Sequence, residues 1–120
     1  MSRRLRCTPP ALLLMALIGL VVPHAARAQG LEYVREHYTK YEFRVPMRDG
    51  VKLFTSVYVP KDTSKTYPIL LDRTPYGVAP YGVDRYRDNL GPSPAYGKAG
   101  YIFVSQDVRG RFLSEGTFQN

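Results

Sequence analysis

From residue 41 onward, apolar and polar positions alternate. Tyr41, Phe43, Val45 and Met47 occupy every second position, which is the period of a β-strand. Arg48-Asp49-Gly50 interrupts the pattern with a turn signal, because Gly50 can take a positive φ. Val51, Leu53, Thr55, Val57 and Val59 then resume the alternation. Residues 41–59 therefore predict a β-hairpin. Upstream, Leu31, Val34, Tyr38 and Tyr41 recur at helical spacing, which predicts a short helix over residues 31–39.

Beyond an exposed loop at residues 60–65, the pattern changes. Residues 68–73 (PILLDR) show no alternation and predict a third strand buried on both faces, as parallel strands covered by helices are. Residues 74–92 form a long loop with one helical turn expected from Val83 to Arg87. Ser93 can cap a short helix, with Pro94 at its first position and Gly100 ending it. Tyr101–Gln106 (YIFVSQ) is a fourth, mostly apolar strand, and Asp107-Val108-Arg109-Gly110 leaves it.

A hairpin followed by strand, helix and strand is the opening of an α/β sheet. Two parallel strands with one short helix have little surface to bury themselves against. The chain is therefore expected to be the first, incomplete part of a larger α/β domain. In open α/β sheets, ligands bind beyond the carboxyl ends of the strands. Arg73–Gly77 and Asp107–Gly110 are expected to meet at that edge.

The first 28 residues read differently. Arg3, Arg4 and Arg6 precede a twelve-residue apolar run, Ala11–Val22, and Ala26-Arg27-Ala28 supplies a small-x-small cleavage pattern. This is the plan of a secretory signal, cleaved after Ala28, with a secreted or periplasmic product. The run falls short of the roughly 20 apolar residues of a membrane span, which weighs against an uncleaved anchor. Arg3-Arg4 hints at twin-arginine export, but Arg6 stands where that signal prefers an apolar residue.

Composition matters only after that segment is set aside. Its four arginines account for most of the formal charge of +7 and leave +3 on residues 29–120. So weak a charge, with no basic stripe, argues against nucleic-acid binding. Cys7, the single cysteine, lies in the signal, so residues 29–120 have no disulfide and no cysteine nucleophile. They also lack the Cys/His clusters of a zinc site. All ten tyrosines fall beyond residue 28, and most suit half-buried strands.

Three stretches carry a resemblance: RVPMRDGVKLFTSVYVP, YPILLDRTPYG and GYIFVSQDVRGRFLSEGTF. Together they resemble the N-terminal part of the CocE/NonD serine hydrolases. That family includes α-amino-acid ester hydrolases, cocaine-esterase-type enzymes and Xaa-Pro dipeptidyl-peptidase-like enzymes. The most specific pieces are R-x-P-Y at Arg73–Tyr76 and D-x-R-G-x-x-x-S-x-G at Asp107–Gly116, and the wording is closest to the ester-hydrolase branch. The resemblance runs from about Tyr33 to Phe118. It implies that residues 29–120 are the N-terminal part of an α/β-hydrolase catalytic domain.

It further implies that Tyr76 is an oxyanion-hole donor, whose phenol and a backbone N–H after the nucleophile hold the tetrahedral oxyanion. Chemistry agrees that such an intermediate needs a fixed donor in a dry site. Pro75 fixes its own φ and narrows that of Thr74, so the aim of Tyr76 is partly set in advance. Packing on the sheet edge is the structural alternative for this tyrosine. Arg73, Asp107, Arg109 and Gly110 are read as structural residues near the site, shaping the strand exits by an ion pair or backbone hydrogen bonds.

Three apparent catalytic groups are set aside. Gly91-Pro92-Ser93-Pro94-Ala95 approaches G-x-S-x-G, yet no strand precedes it and Pro94 has no N–H to lend. Ser114-Glu115-Gly116 has Phe112 where the first glycine should stand, and reads as loop. His37 precedes every candidate serine, whereas α/β-hydrolases place the base histidine last. The resemblance places the catalytic serine, aspartate and histidine after residue 120.

The sequence thus predicts an exported serine hydrolase for small-molecule esters or amides. It implies no cofactor and no metal, no membrane partner after signal cleavage, and gives no oligomeric state. Residues 29–120 alone are expected to be inactive. The rival reading is a non-catalytic, tyrosine-rich secreted β module that binds a ligand or partner, and it predicts a cooperatively folded 92-residue unit.

Overall fold

In the computed structural model, residues 24–119 are described, with side chains from Gly30 onward. The apolar run Ala11–Val22 and Cys7 lie outside the described residues. The elements are α1 (His24–His37), β1 (Tyr38–Pro46), β2 (Lys52–Pro60), β3 (Ile69–Thr74), α2 (Pro94–Ala99) and β4 (Ile102–Asp107). The strands form one sheet in the order β1-β2-β4-β3. β1, β2 and β4 pair antiparallel, while β3 and β4 are parallel, with α2 on the crossover.

The hairpin begins three residues earlier than the alternation suggests. Tyr38 fits the helical spacing and is out of phase with Tyr41, Phe43 and Val45, yet its partner makes it strand: Tyr38 pairs with Pro60 on the face opposite Tyr41, and Lys61 N–H donates to the His37 carbonyl at 2.8 Å. The helix therefore ends at His37 instead of running to residue 39. Arg35 and His37 in its last turn suit the negative end of the helix dipole. The turn between β1 and β2 is closed by Gly50 at φ 83° and by Gly50 N–H donating to the Met47 carbonyl.

One face of the sheet is covered. Val34, Tyr38, Tyr58, Leu90 and Phe103 form its buried core, flanked by Tyr33, Leu70, Tyr86 and Tyr101. The loop between β3 and α2 lies across this face. Phe54 meets the Tyr81 ring edge-on at 5.2 Å, Tyr58 meets Tyr86 at 5.8 Å, and the Tyr58 hydroxyl accepts from Arg87 N–H. No helix forms at Val83–Arg87. The segment makes one turn, with Arg85 N–H donating to Gly82 O at 3.0 Å, while the Arg85 carbonyl accepts from Lys40 of β1 and Arg87 N–H donates to Tyr58 of β2.

The other face carries Tyr41, Phe43, Ile69 and Leu71. Ile69 and Leu71 are 67% and 58% exposed. The expectation that the third strand is buried on both faces is thus overturned for the described residues. β3 is the edge strand here, and only β4 flanks it. Ser93 does precede α2, in extended conformation, but its hydroxyl makes no capping bond; Gly100 ends the helix at φ 83°.

Candidate active site

Parallel pairing decides where the two motifs meet. Thr74 pairs with Asp107, and Val108 N–H donates to the Thr74 carbonyl at 3.2 Å. Both strands therefore end together, and R-x-P-Y and D-x-R-G emerge side by side. An open groove of about 750 Å³ adjoins this edge, lined by Val51, Pro75, Val108, Arg109, Thr117 and Phe118 among others.

The Tyr76 loop is fixed through its backbone. Thr74 Oγ1 accepts from Tyr76 N–H at 3.1 Å. Gly77 has φ 93°, and a Cβ there would press on the ring of Phe112. Phe112 itself takes φ 48°. Val78 is buried, and its N–H donates to Asp107 Oδ1 at 3.0 Å. The Tyr76 side chain is 87% exposed, so the phenol stands free of the sheet.

Asp107 closes β4 as its last residue and is fully buried. Its Oδ2 accepts from the Tyr81 hydroxyl at 3.1 Å, and burial followed by this carboxylate pushes the Tyr81 phenol up from its ordinary value. Arg109 does not reach Asp107. It forms a forked pair with Asp49 in the hairpin turn, at 2.8 and 3.2 Å, and its hydrogen bond holds the Asp49 carboxyl below its usual range. Gly110 has φ 67°, and its N–H donates to Glu115 O at 2.9 Å. Arg73 lies exposed on β3, paired with Gln106.

Profile and structure comparisons fit this geometry. The X-Pro dipeptidyl-peptidase (S15 family) profile matches residues 49–120, which hold both motifs. The chain belongs to this family. Cocaine esterase of Rhodococcus sp. (strain MB1 Bresler) is 40% identical over 74 residues, covering 62% of this chain and 12% of that protein. A selenomethionine-labelled α-amino acid ester hydrolase superposes with TM-score 0.58 at 32% identity, over 93% of this chain and 17% of its own. An aminopeptidase from a marine sediment Thaumarchaeota archaeon gives TM-score 0.58 at 31% identity, over 90% and 17%. The chain thus spans less than a fifth of the length of these relatives. Its mixed sheet is part of a hydrolase fold.

For an S15-family chain, the remaining polar residues sort by position. Ser114 is a strut: its hydroxyl donates to Asp107 O at 2.7 Å and accepts from Phe54 N–H at 2.8 Å. Ser93 sits on the crossover, away from any strand end. His37 stacks on Tyr33 at 4.1 Å and donates to the Tyr33 carbonyl. It adjoins Pro60–Lys61, at the sheet end opposite Thr74. Among the described residues, no group of three or more His, Cys, Asp or Glu could hold a metal ion, and no helix is long and apolar enough to cross a membrane.

Sequence reasoning missed Lys40 and Glu42. Lys40 Nζ is fully buried and donates to the carbonyls of Pro80 (2.6 Å), Gly82 (2.8 Å) and Arg85 (2.9 Å), while Glu42 Oε1 lies 2.9 Å away. Glu42 also accepts from Gly82 N–H at 2.7 Å. This pair ties β1 to the loop that follows Tyr76. Its available signal was Lys-x-Glu at strand period, which places both charges on one face.

Proposed function

We propose that this chain is the amino-terminal part of an exported serine hydrolase that cleaves ester or amide bonds of small-molecule substrates, with Tyr76 as an oxyanion-hole donor. The observation that carries this reading is the exposed Tyr76 phenol on a loop whose backbone is anchored before and after it. The names of the relatives support it: an esterase, an ester hydrolase and an aminopeptidase all cleave acyl bonds. Export is supported by the arginine start, the apolar run and the Ala26–Ala28 pattern.

In this mechanism a serine supplied by the rest of the protein attacks the acyl carbon. The carbonyl oxygen becomes an oxyanion, and the Tyr76 hydroxyl donates to it. Collapse of the intermediate expels the alcohol or amine and leaves an acyl-serine, which water then hydrolyses. A phenol already aimed by its backbone needs no reorganisation as the charge develops. Arg73, Arg109 and Gly110 serve here as structure around the two strand exits.

The test is Tyr76→Phe in the full-length protein that carries this chain, assayed on an activated amino-acid ester. Loss of one such donor is expected to lower kcat roughly a hundred- to a thousand-fold, with KM nearly unchanged. A kcat within about threefold of the parent would remove Tyr76 from the chemistry, since no donor of this kind contributes so little.

A further inference from the structure

We infer that Asp107 is the positioning residue for the Tyr76 phenol. The inference rests on the oxyanion-donor reading of Tyr76 and adds the group that sets its aim. Asp107 is wholly shielded from solvent, and Arg109, two residues on, spends its guanidinium on Asp49. Among the described residues no ion pair reaches Asp107; a carboxylate buried without one is costly, and an apolar side chain of similar size would pack there at lower cost. What an apolar residue could not do is accept two hydrogen bonds from the loop that carries Tyr76.

Those two bonds fall where they control that loop. Oδ1 takes the N–H of Val78, two residues past Tyr76, and Oδ2 takes the hydroxyl of Tyr81. On the near side, Thr74 Oγ1 takes the Tyr76 N–H, and Thr74 O takes Val108 N–H. Pro75 has a fixed φ and Gly77 is held at φ 93°, so the five-residue span from Thr74 to Val78 has both ends pinned. The Tyr76 side chain has almost no packing of its own to orient it. What the fold fixes is therefore the root of that side chain, its Cα–Cβ bond, and the far pin of that backbone is the Asp107 carboxylate.

The carboxylate is itself held. The Tyr81 ring packs edge-on against Phe54 of β2, and the Asp107 carbonyl accepts from Ser114, which also takes Phe54 N–H. The pin is thereby fastened to the centre of the sheet, and the loop cannot drift without breaking contacts to β2.

The experiment is a double-mutant cycle in the full-length protein, with Asp107→Ala, Tyr76→Phe and the pair, read as kcat and KM on an activated ester. Asp107→Ala is expected to lower kcat about ten- to a hundredfold with KM little changed, because a misplaced donor is nearly a missing one. In the Tyr76→Phe background the same change is expected to cost less than about twofold, since no phenol is left to aim. Asp107→Asn should keep most of the activity, its oxygen accepting from Val78 and its amide facing the Tyr81 hydroxyl. Tyr81→Phe, which keeps the ring and removes one bond, guards against a variant that fails to fold, and should show the same non-additivity more weakly.

Equal losses from Asp107→Ala and Tyr81→Phe with and without the Tyr76 hydroxyl would overturn the inference and leave Asp107 as fold support. If Tyr76→Phe alone left kcat intact, the donor reading itself would fall, and the two failures are thus separable.

Discussion

Replacing Lys40 by Met is the sharpest test of how the loop after Tyr76 is held. The ammonium is fully buried and meets three backbone carbonyls and the Glu42 carboxylate, all within 2.9 Å. Methionine fills much the same volume and offers no donor. The Pro80 and Arg85 carbonyls then lose this donor, Gly82 O keeps only its bond from Arg85 N–H, and Glu42, only 17% exposed, is left as an unpaired carboxylate. Breaking a buried pair from one side costs about 3–5 kcal/mol. Glu42 keeps its bond from Gly82 N–H and some contact with water, so the low end, about 3 kcal/mol, applies. The loss falls on the local opening of residues 78–90, whose amides should exchange roughly a hundredfold faster. Hydrogen exchange followed by mass spectrometry on the full-length protein measures this, with the β2 and β4 peptides as internal references. The double variant Lys40→Met/Glu42→Gln removes the stranded charge and should recover part of the loss. Exchange in residues 78–90 within threefold of the parent, or a double variant more open than the single one, would refute the clamp.

Two further outcomes follow from local geometry. Gly110→Ala would place a Cβ on the backbone of Thr117 and Phe118 at a φ of 67°, and backbone atoms cannot rotate aside. Peptides covering residues 108–118 should lose their exchange protection in this variant, whereas unchanged protection would contradict the packing described for that loop. Asp62 sits in the exposed loop after β2. Hydrogen bonds from Ser64 and from the Tyr67 hydroxyl (2.9 Å) hold its carboxyl down at about 2. Because the folded value lies below the ordinary one of 3.8, this loop's stabilisation is complete above about pH 4 and fades as pH falls towards 2. Tyr67→Phe should move the Asp62 midpoint upward in an NMR titration, and an unmoved midpoint would show that the phenol contributes nothing.

The alternation over Tyr41–Val59, broken by Arg48-Asp49-Gly50, determined the hairpin, because side-chain period and turn chemistry are local properties. Pro94 and Gly100 bounded α2 for the same reason. R-x-P-Y and D-x-R-G were legible as motifs, and their place after apolar strands put both at a strand end. What lay beyond the sequence was pairing. Tyr38 fits the helical spacing in sequence, and only its pairing with Pro60 makes it the first residue of β1. The edge position of β3, which leaves Ile69 and Leu71 open, came from the order of strands and not from the apolarity of PILLDR.

The polar contacts divide in the same way. Arg109 could have been assigned to any nearby acid, and the crossing of the hairpin turn over the exit of β4 gave it Asp49. Nothing in the sequence marks Lys40 and Glu42 as buried, yet the loop folds over them and turns them into its anchor. Asp107 is identifiable in sequence as a motif aspartate, but its partners Val78 and Tyr81 lie 29 and 26 residues away. The sequence on its own determined which segments could be strands and which motifs follow them at the sheet edge. Tertiary structure alone decided which charges are buried and what each one holds, since a hydrogen bond between distant residues exists only once the sheet has brought them together.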